Sequence, residues 1–217
     1  MKYKHIIWDW NGTLVDDTWL CVEIINKLLK KRNLKLVTID DYKEKFMFPV
    51  RDYYIKLGFN FEDEPFEVSG LEFINEFKKR LFDASLHSDT EFVLDKLSEL
   101  DISHSILSAQ NQNMLDQSIN YYNISDKFIG VNGLDNHYAH SKVNIGKSWI
   151  KSLNINPFHV LMVGDTVHDF EVSQAMGTDC LLLSSGHNSK ERLDKTGAKV
   201  LGTIESLFAH ILGKNHE

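Results

Sequence analysis

The fold of this chain is decided near its start, where the sequence reads Tyr3-Lys4-His5-Ile6-Ile7-Trp8-Asp9-Trp10-Asn11-Gly12-Thr13. Residues 3–8 are dense in isoleucine and aromatic side chains, which is typical of a β-strand. The strand ends at Asp9, and Gly12 and Thr13 predict a turn directly after it. A carboxylate thus stands at the end of the first strand, at the point where the chain turns.

Beyond residue 88, short apolar strands alternate with helical patterns. The predicted strands cover residues 103–107, 128–131, 160–163 and 180–183. The predicted helices cover residues 113–122, 143–153, 169–176 and 204–212, and an earlier helix, which Ser88 and Glu91 can cap, ends near Leu100. This alternation predicts an α/β fold, a Rossmann-like, doubly wound parallel sheet covered by helices on both faces, and the first strand belongs to it.

Between the first strand and this series, the apolar residues have a helical period only. One helix begins at Thr18, a second begins at Thr38 with Asp41 in its first turn, and a third stops at Gly58. A fourth lies around residues 73–81. We therefore expect residues 16–84 to form an all-helical cap domain, inserted into a core domain formed by residues 1–15 and 85–217.

The composition disfavours several kinds of partner. The chain has 217 residues and a formal charge of −7, with its lysines and arginines scattered. Nucleic acids and anionic membranes are bound through concentrated basic surface, so neither is expected as a partner. The two cysteines form no C-x-x-C motif, and no stretch approaches the length of a membrane span. We expect a cytoplasmic protein that is a monomer or a homodimer.

Polar residues follow the predicted strands at one edge of the sheet. The first strand ends at Asp9, the second at Ser108 and the fourth at Gly164 and Asp165, while Lys142 follows the third. Ligands of open parallel sheets bind outside the carboxyl ends of the strands, so these groups converge there. Each residue alone is more often a turn residue or a helix cap, and only their common edge indicates a site.

These groups suit a site that holds magnesium and a phosphoryl group. Mg²⁺ prefers carboxylate oxygens and usually bridges to phosphate. The hydroxyl and the lysine can hold phosphate oxygens, and the N–H groups of the turn at Gly12 and Thr13 can face the same anion. One carboxylate can attack phosphorus and form an acyl phosphate. The expected substrate is a small phosphorylated metabolite.

Four segments resemble the motifs of the haloacid dehalogenase (HAD) superfamily. Asp9-Trp10-Asn11-Gly12-Thr13-Leu14 is similar to its first motif, usually Asp-x-Asp-Gly-Thr. Ser108 resembles the second motif, Lys142 the third, and Asp165 with Asp169 the fourth. Order and spacing match over essentially the whole chain, and the helical insertion resembles the α-helical cap of phosphoglycolate-phosphatase-like members. The resemblance implies a magnesium-dependent phosphatase.

The resemblance also implies which residues act at the metal. Asp9 is expected to be the nucleophile and a metal ligand, and Asp165 the second carboxylate ligand. Asp169 is expected to be an inner or water-mediated supporting ligand. Asn11 is expected to contribute its backbone carbonyl to the metal.

The substrate is expected to contact a second group of residues. Ser108, Ala109 and Lys142 match the positions that hold the phosphate in the family. Lys147 competes with Lys142 for this role, but it lies one turn into a predicted helix, where its amine is more solvated. Arg51 lies in the cap segment expected to face the core, where it can bind a carboxylate or a second phosphate.

Position 11 departs from the family pattern. HAD phosphatases carry an Asp there that acts as general acid and then as base, whereas the amide of Asn11 supplies no proton at neutral pH. General acid–base catalysis contributes ~10²–10⁴-fold, and its loss affects alkyl phosphates most because an alkoxide is a poor leaving group. Asp16, Asp17 or a residue of the cap could deliver the missing proton, and the sequence does not decide among them.

Two alternatives stay open. A weakened member of the superfamily would bind a phosphorylated ligand without turnover. Phosphonoacetaldehyde hydrolase, which cleaves a C–P bond, has a similar first motif and uses a cap lysine as a Schiff base, for which Lys45 and Lys56 are conceivable equivalents.

His137 and His140 have a spacing compatible with a soft metal, but the sequence offers no third ligand, so zinc is not expected.

Overall fold

The computed structural model describes residues 2–134 and 142–213. Its strands are β1 (His5–Trp8), β2 (Val15–Asp16), β3 (Ser85–Leu86), β4 (Ser103–Asn111), β5 (Val131–Leu134), β6 (Val160–Gly164), β7 (Asp179–Leu183) and β8 (Lys199–Leu201). His137 and His140 lie outside the described residues.

Its helices are α1 (Thr18–Lys31), α2 (Ile39–Lys45), α3 (Val50–Lys56), α4 (Phe66–Lys79), α5 (Thr90–Ser98), α6 (Gln112–Tyr121), α7 (Lys142–Leu153), α8 (Val167–Met176), α9 (Lys190–Asp194) and α10 (Ile204–Ile211). None of these helices is both long and apolar enough to cross a membrane.

Six strands form one parallel sheet in the order β5-β4-β1-β6-β7-β8. From β1 the chain first builds β4 and β5 on one side and then returns to build β6, β7 and β8 on the other. The strand order therefore reverses at β1, and a reversal of this kind opens a crevice at the carboxyl ends of the strands. The predicted doubly wound α/β fold is confirmed.

The side chains of β1 show why the sheet is covered on both faces. Ile6 and Trp8 are fully buried in a cluster with Leu94 of α5 on one face. Ile7, which points the opposite way, is buried in a second cluster with Val172 of α8. Successive residues of a strand face opposite sides, so a strand buried on both sides reads as a continuous apolar run.

Along the chain, the four helices α1 to α4 separate β1 from β4, and their side chains form a separate apolar cluster to which Met114 of α6 also contributes. The two ends of this helical segment meet in a short antiparallel ribbon, in which Val15 pairs with Leu86 and Asp16 with Ser85. The ribbon was not predicted, because two-residue strands leave no periodic pattern in the sequence. The division of the chain into a cap of residues 16–84 and a core stays a prediction.

Several predicted boundaries need correction. β5 begins at Val131, where the predicted strand ended, and α9 and β8 were not predicted. Ser88 does not cap α5, because the N-cap is Asp89 and the Ser88 hydroxyl donates to the Asp89 carboxylate at 3.0 Å. Thr38 and Asp41 do form a capping box at the start of α2.

Two buried histidines lie on neighbouring strands of the sheet, His5 on β1 and His104 on β4. The ring nitrogens of His5 lie 2.7 Å from the hydroxyl of Ser103 and 2.8 Å from that of Ser105. Nδ1 of His104 accepts a hydrogen bond from the indole of Trp8 at 3.2 Å, which requires that nitrogen to carry no proton. Burial lowers the pKa of both imidazoles to about 4, and His104 adds repulsion to His5. The fold therefore requires neutral rings.

This requirement predicts a loss of stability in mild acid. The folded pKa of about 4 lies below the ordinary value of 6.5, so the unfolded chain binds more protons, and stability falls as the pH drops from about 6.5 to about 4. Each histidine should remove on the order of 3 kcal/mol from the free energy of unfolding at the acid end of this range. Urea unfolding at a series of pH values should give a shallower pH slope for His104→Gln, while the exposed control His210→Gln keeps the wild-type slope. Equal slopes in all three proteins would contradict the assignment.

Candidate active site

The carboxyl ends of β1 and β6 carry a buried group of ion pairs. Asp9 directly follows β1, and its amide donates to the carbonyl of Val163 at 2.8 Å, which fixes it beside β6. Nζ of Lys142, the first residue of α7, lies 2.5 Å from Oδ1 of Asp9 and 2.6 Å from Oδ1 of Asp169. The Lys142 side chain is only 2% exposed, so both contacts are shielded from water. Lys147 is exposed farther along α7.

Asp165, which follows β6, is held from two sides. Its Oδ1 accepts from the hydroxyl of Thr13 at 2.7 Å, and its Oδ2 accepts from the amide of His187 at 2.6 Å. The backbone approaches this carboxylate so closely that a Cβ at Gly12 or Gly186 would lie 2.4 Å or 2.2 Å from Oδ2. The φ angle of +76° at Gly12 also favours glycine. Two glycines thus make room for one carboxylate.

Asp9, Asp165 and Asp169 offer carboxylate oxygens that all lie within 4.8 Å of one another, and all three residues are buried. Burial raises the pKa of Asp9 and of Asp165. Burial also acts on Asp169, but the ion pair with Lys142 outweighs it and lowers the pKa of that carboxyl. One lysine cannot balance three carboxylates, whereas a divalent cation would. An oxygen-only donor set suits Mg²⁺, so these residues fit the metal that the motifs implied.

Asn11 and its neighbour Gly12 bind Asp17 at the start of α1. The Asn11 amide donates to Oδ2 of Asp17 at 2.7 Å, and the backbone amide of Gly12 donates to Oδ1 at 2.9 Å. The Gly12 N–H is therefore engaged within the protein, and the Thr13 hydroxyl is engaged by Asp165. We expected this turn to present its amides to a phosphate. At Gly12 the structure shows an internal contact instead, and both residues hold the carboxylates in place.

His187, in the loop after β7, connects the core to the helical segment. Its Nε2 lies 3.2 Å from Oδ1 of Asp17, and its Nδ1 lies 3.0 Å from the hydroxyl of Tyr42 in α2. Burial alone would lower the pKa of His187, but Asp17, Asp165 and Asp9 outweigh it and raise the pKa to about 9. The place of His187 a few residues after a predicted strand, at the same edge of the sheet as Asp9, puts it near the site loops. The sequence does not assign it these contacts, beyond capping or lining a loop.

A cavity of about 360 Å³ opens above these carboxylates, between the sheet and helices α2, α3 and α4. Its sheet side contains six of the residues expected to react with or bind the substrate or the metal, which are Asp9, Asn11, Ser108, Ala109, Lys142 and Asp169. Its helical side is formed mainly by aromatic and aliphatic side chains. The structure therefore brings most of the expected catalytic residues to one cavity.

Ser108 and Arg51 have different positions relative to this cavity. The pairing of β4 with β5 is irregular beyond Leu107, and Ser108 lies in this irregular part. Its Oγ accepts a hydrogen bond from the backbone N–H of Gln110 at 3.1 Å. Arg51 is exposed, and its guanidinium lies 5.2 Å from the centre of the Phe61 ring. It is not part of the cavity wall, so the expected contact of Arg51 with the substrate has no support here.

The parallel sheet with a reversal at β1 and an acidic cluster at that point defines an α/β protein with its site at a topological switch point. The chain belongs to the haloacid dehalogenase-like hydrolases, because the model of that family matches residues 6–183. This match confirms the family expected from the motifs. No protein of curated function shows significant similarity to the sequence.

Solved structures with the same fold are similar over nearly the whole chain. A predicted phosphatase from Clostridium acetobutylicum has a TM-score of 0.80 at 18% identity and covers 98% of this chain and 100% of its own. A haloacid dehalogenase-like family hydrolase from Streptococcus pneumoniae has a TM-score of 0.81 at 16% identity, with coverages of 97% and 99%. A predicted phosphoglycolate phosphatase from Haemophilus somnus has a TM-score of 0.75 at 17% identity, with 98% of both chains covered.

The close approach of Gly186 to Asp165 predicts the effect of an added methyl group. Gly186→Ala should displace the Asp165 carboxylate, destabilise the protein by about 1–3 kcal/mol and weaken Mg²⁺ binding, since overpacking moves buried groups. Gly202→Ala is the matched control, because a Cβ there meets no atom within 4 Å. Thermal unfolding and Mg²⁺ titration of both variants test the prediction. Similar melting temperatures and Mg²⁺ affinities for the two variants would contradict it.

Proposed function

We propose that this hydrolase is a magnesium-dependent phosphatase that acts on a small phosphorylated metabolite through an aspartyl-phosphate on Asp9. The observation that carries the proposal is the position of Asp9, 2.5 Å from Lys142 within a buried cluster of three carboxylates. The family supports a hydrolase, and the similar structure from Clostridium acetobutylicum is described as a predicted phosphatase.

The phosphate would be bound by Lys142 and by the hydroxyl of Ser108, both of which line the cavity. Asp9, Asp165 and Asp169, with the backbone carbonyl of Asn11, would hold Mg²⁺, which neutralises phosphate charge when bound. Burial raises the pKa of Asp9, and Lys142 opposes this effect because a positive partner favours the ionised carboxylate. An oxygen of Asp9 attacks phosphorus, the leaving oxygen departs, and water then cleaves the acyl phosphate.

Proton transfer at position 11 is the weak step of this chemistry. The Asn11 amide donates to Asp17 and carries no acidic proton. Asp16 is exposed, while Asp17 already accepts from Asn11, from the Gly12 amide and from His187. Substrates whose leaving group departs without a proton are therefore favoured over ordinary alkyl phosphates.

The C–P hydrolase alternative lacks a suitable lysine in the described part of the chain. Lys45 lies 3.6 Å from Asp41 in an ion pair, and Lys56 is exposed at the end of α3. Neither lines the cavity, so neither is placed to form a Schiff base with a bound substrate. We therefore do not propose this activity.

The cysteines support a location in the cytoplasm, which we propose for this enzyme. Cys21 is buried and Cys180 is half-buried, and both are free thiols. Proteins without disulfides are typical of reducing compartments. Small phosphorylated metabolites are available there as substrates.

Replacement of the nucleophile should abolish turnover. With Mg²⁺ and acetyl phosphate, Asp9→Asn should lower kcat/KM by about 10³-fold or more, because no other group can form the acyl phosphate. Asp126→Asn, at an exposed carboxylate far along the chain, is the control and should keep the wild-type rate. Phosphate release and inhibition by EDTA are the measurements. A wild-type rate in Asp9→Asn would refute the mechanism, and saturable phosphate binding without any turnover would favour a binding protein.

The Asn11–Asp17 pair allows the missing acid to be restored without breaking their hydrogen bond. In the double variant Asn11→Asp/Asp17→Asn the amide and the carboxyl exchange places, so two carboxylates never face each other. The ratio of kcat/KM for glycerol phosphate to that for acetyl phosphate should rise about tenfold or more, since only the alkyl leaving group needs a proton. Asp17→Asn alone is the control. An unchanged ratio would show that position 11 does not limit proton transfer.

A further inference from the structure

We infer that the substrate of this site is an aryl phosphate monoester whose leaving group is a neutral aromatic group without a second charge. The inference rests on the proposed phosphatase function and concerns the part of the cavity that receives the leaving group. It is carried by the shape of the cavity, by its charges and by two buried polar side chains in its wall.

The helical side of the cavity is formed mainly by apolar side chains. Phe46, Tyr53, Phe73, Ile74 and Phe77 contribute to it, and the aromatic rings pack against one another. Phe46 packs edge-on against Tyr53 at a centroid distance of 5.4 Å, and Phe73 stacks on Phe77 at 6.1 Å. A volume of about 360 Å³ is of the size that accommodates ring-containing ligands, and it is much larger than a two-carbon group requires.

The charges of the wall disfavour a second anionic group on the substrate. As far as the described residues form the wall, Lys142 is its only lysine or arginine, and it is engaged by Asp9 and Asp169. His187 is paired with Asp17, while Glu67 adds a negative charge at the helical side. A carboxylate on the leaving group would lose its hydration without gaining a cation, which is costly in an apolar cavity.

Two polar side chains in the wall have buried atoms without a partner among the described residues. The hydroxyl of Tyr53 is buried and makes no hydrogen bond with the described residues. The same holds for Nε2 and Oε1 of the Gln110 side chain. Both residues line the cavity. Burial raises the pKa of Tyr53, so its hydroxyl stays neutral. Because unpaired buried polar groups are costly, a ligand that hydrogen-bonds to them is favoured, and a neutral polar substituent on an aromatic ring meets this requirement.

The chemistry at position 11 leads to the same class of substrate by a separate route. Asn11 supplies no proton to the leaving oxygen. A phenol is a far stronger acid than an alcohol, so a phenolate departs without the help that an alkoxide needs. A phenolate leaving group therefore suits both the chemistry at position 11 and the apolar wall of the cavity.

The test compares four phosphates with wild-type enzyme and Mg²⁺: 2-naphthyl phosphate, O-phosphotyrosine, phosphoglycolate and acetyl phosphate. The first two have phenolic leaving groups, and only the second carries a charged amino acid. We expect kcat/KM for 2-naphthyl phosphate to exceed that for O-phosphotyrosine by about tenfold or more, since the charged groups of O-phosphotyrosine would lose their hydration in the cavity without gaining partners. Equal or higher values for O-phosphotyrosine or phosphoglycolate would overturn the inference. Hydrolysis of acetyl phosphate would then leave the proposed function standing, whereas no hydrolysis of any of the four would overturn both.

Two matched variants of α4 test the wall directly. Ile74→Asn places an amide in the cavity and should raise KM for 2-naphthyl phosphate about fivefold to tenfold with little change in kcat, because binding of the leaving group is lost. Val68→Asn makes a comparable change at an exposed position of the same helix outside the cavity and should leave both constants unchanged. Equal KM values in the wild type and in Ile74→Asn would overturn the inference. Circular dichroism verifies that both variants are folded.

Discussion

The site depends on one amine that lies between two carboxylates. Lys142 is almost completely buried and contacts both Asp9 and Asp169. Removal of one partner from a buried ion pair leaves an unpaired charge, which costs several kcal/mol. Loss of any one of the three residues is therefore expected to destabilise the folded protein. Since the residue after β1, the first residue of α7 and a residue of α8 form these ion pairs, the pairs also fix how these elements meet at the switch point of the sheet.

Hydrogen bonds to the backbone carbonyls at the end of α2 connect the helical segment to the loop and helix that follow β7. The carbonyl of Phe46 accepts from the side chain of Asn188, and that of Lys43 accepts from Arg192. The last carbonyls of a helix have no partners within it, and here side chains of the core supply them. Because Phe46 also belongs to the cavity wall, these contacts position the wall relative to the carboxylates.

The sequence was informative where the chemistry follows strand ends. A buried parallel strand has a clear apolar pattern, so the carboxyl edge with Asp9, Lys142 and Asp165 could be predicted before any distance was known. The contacts of Asn11 and Gly12 with Asp17 could not be predicted, because they depend on the exact geometry of a local turn that has no periodic pattern. Those of His187 could not be predicted because they join segments far apart in the chain. Arg51 shows the same limit, since the pattern of a short cap helix does not reveal which side faces the cavity.

The exchange of an acid for an amide at position 11 has a consequence for the time course of the proposed reaction. The group that would protonate the leaving oxygen would later activate the attacking water, so the second half of the cycle loses the same assistance. An aryl leaving group relieves only the first half. Under saturating substrate the covalent form on Asp9 would then accumulate, and the rate of its hydrolysis would set the steady state. The attack of water on the acyl phosphate would then be the rate-limiting step of the cycle.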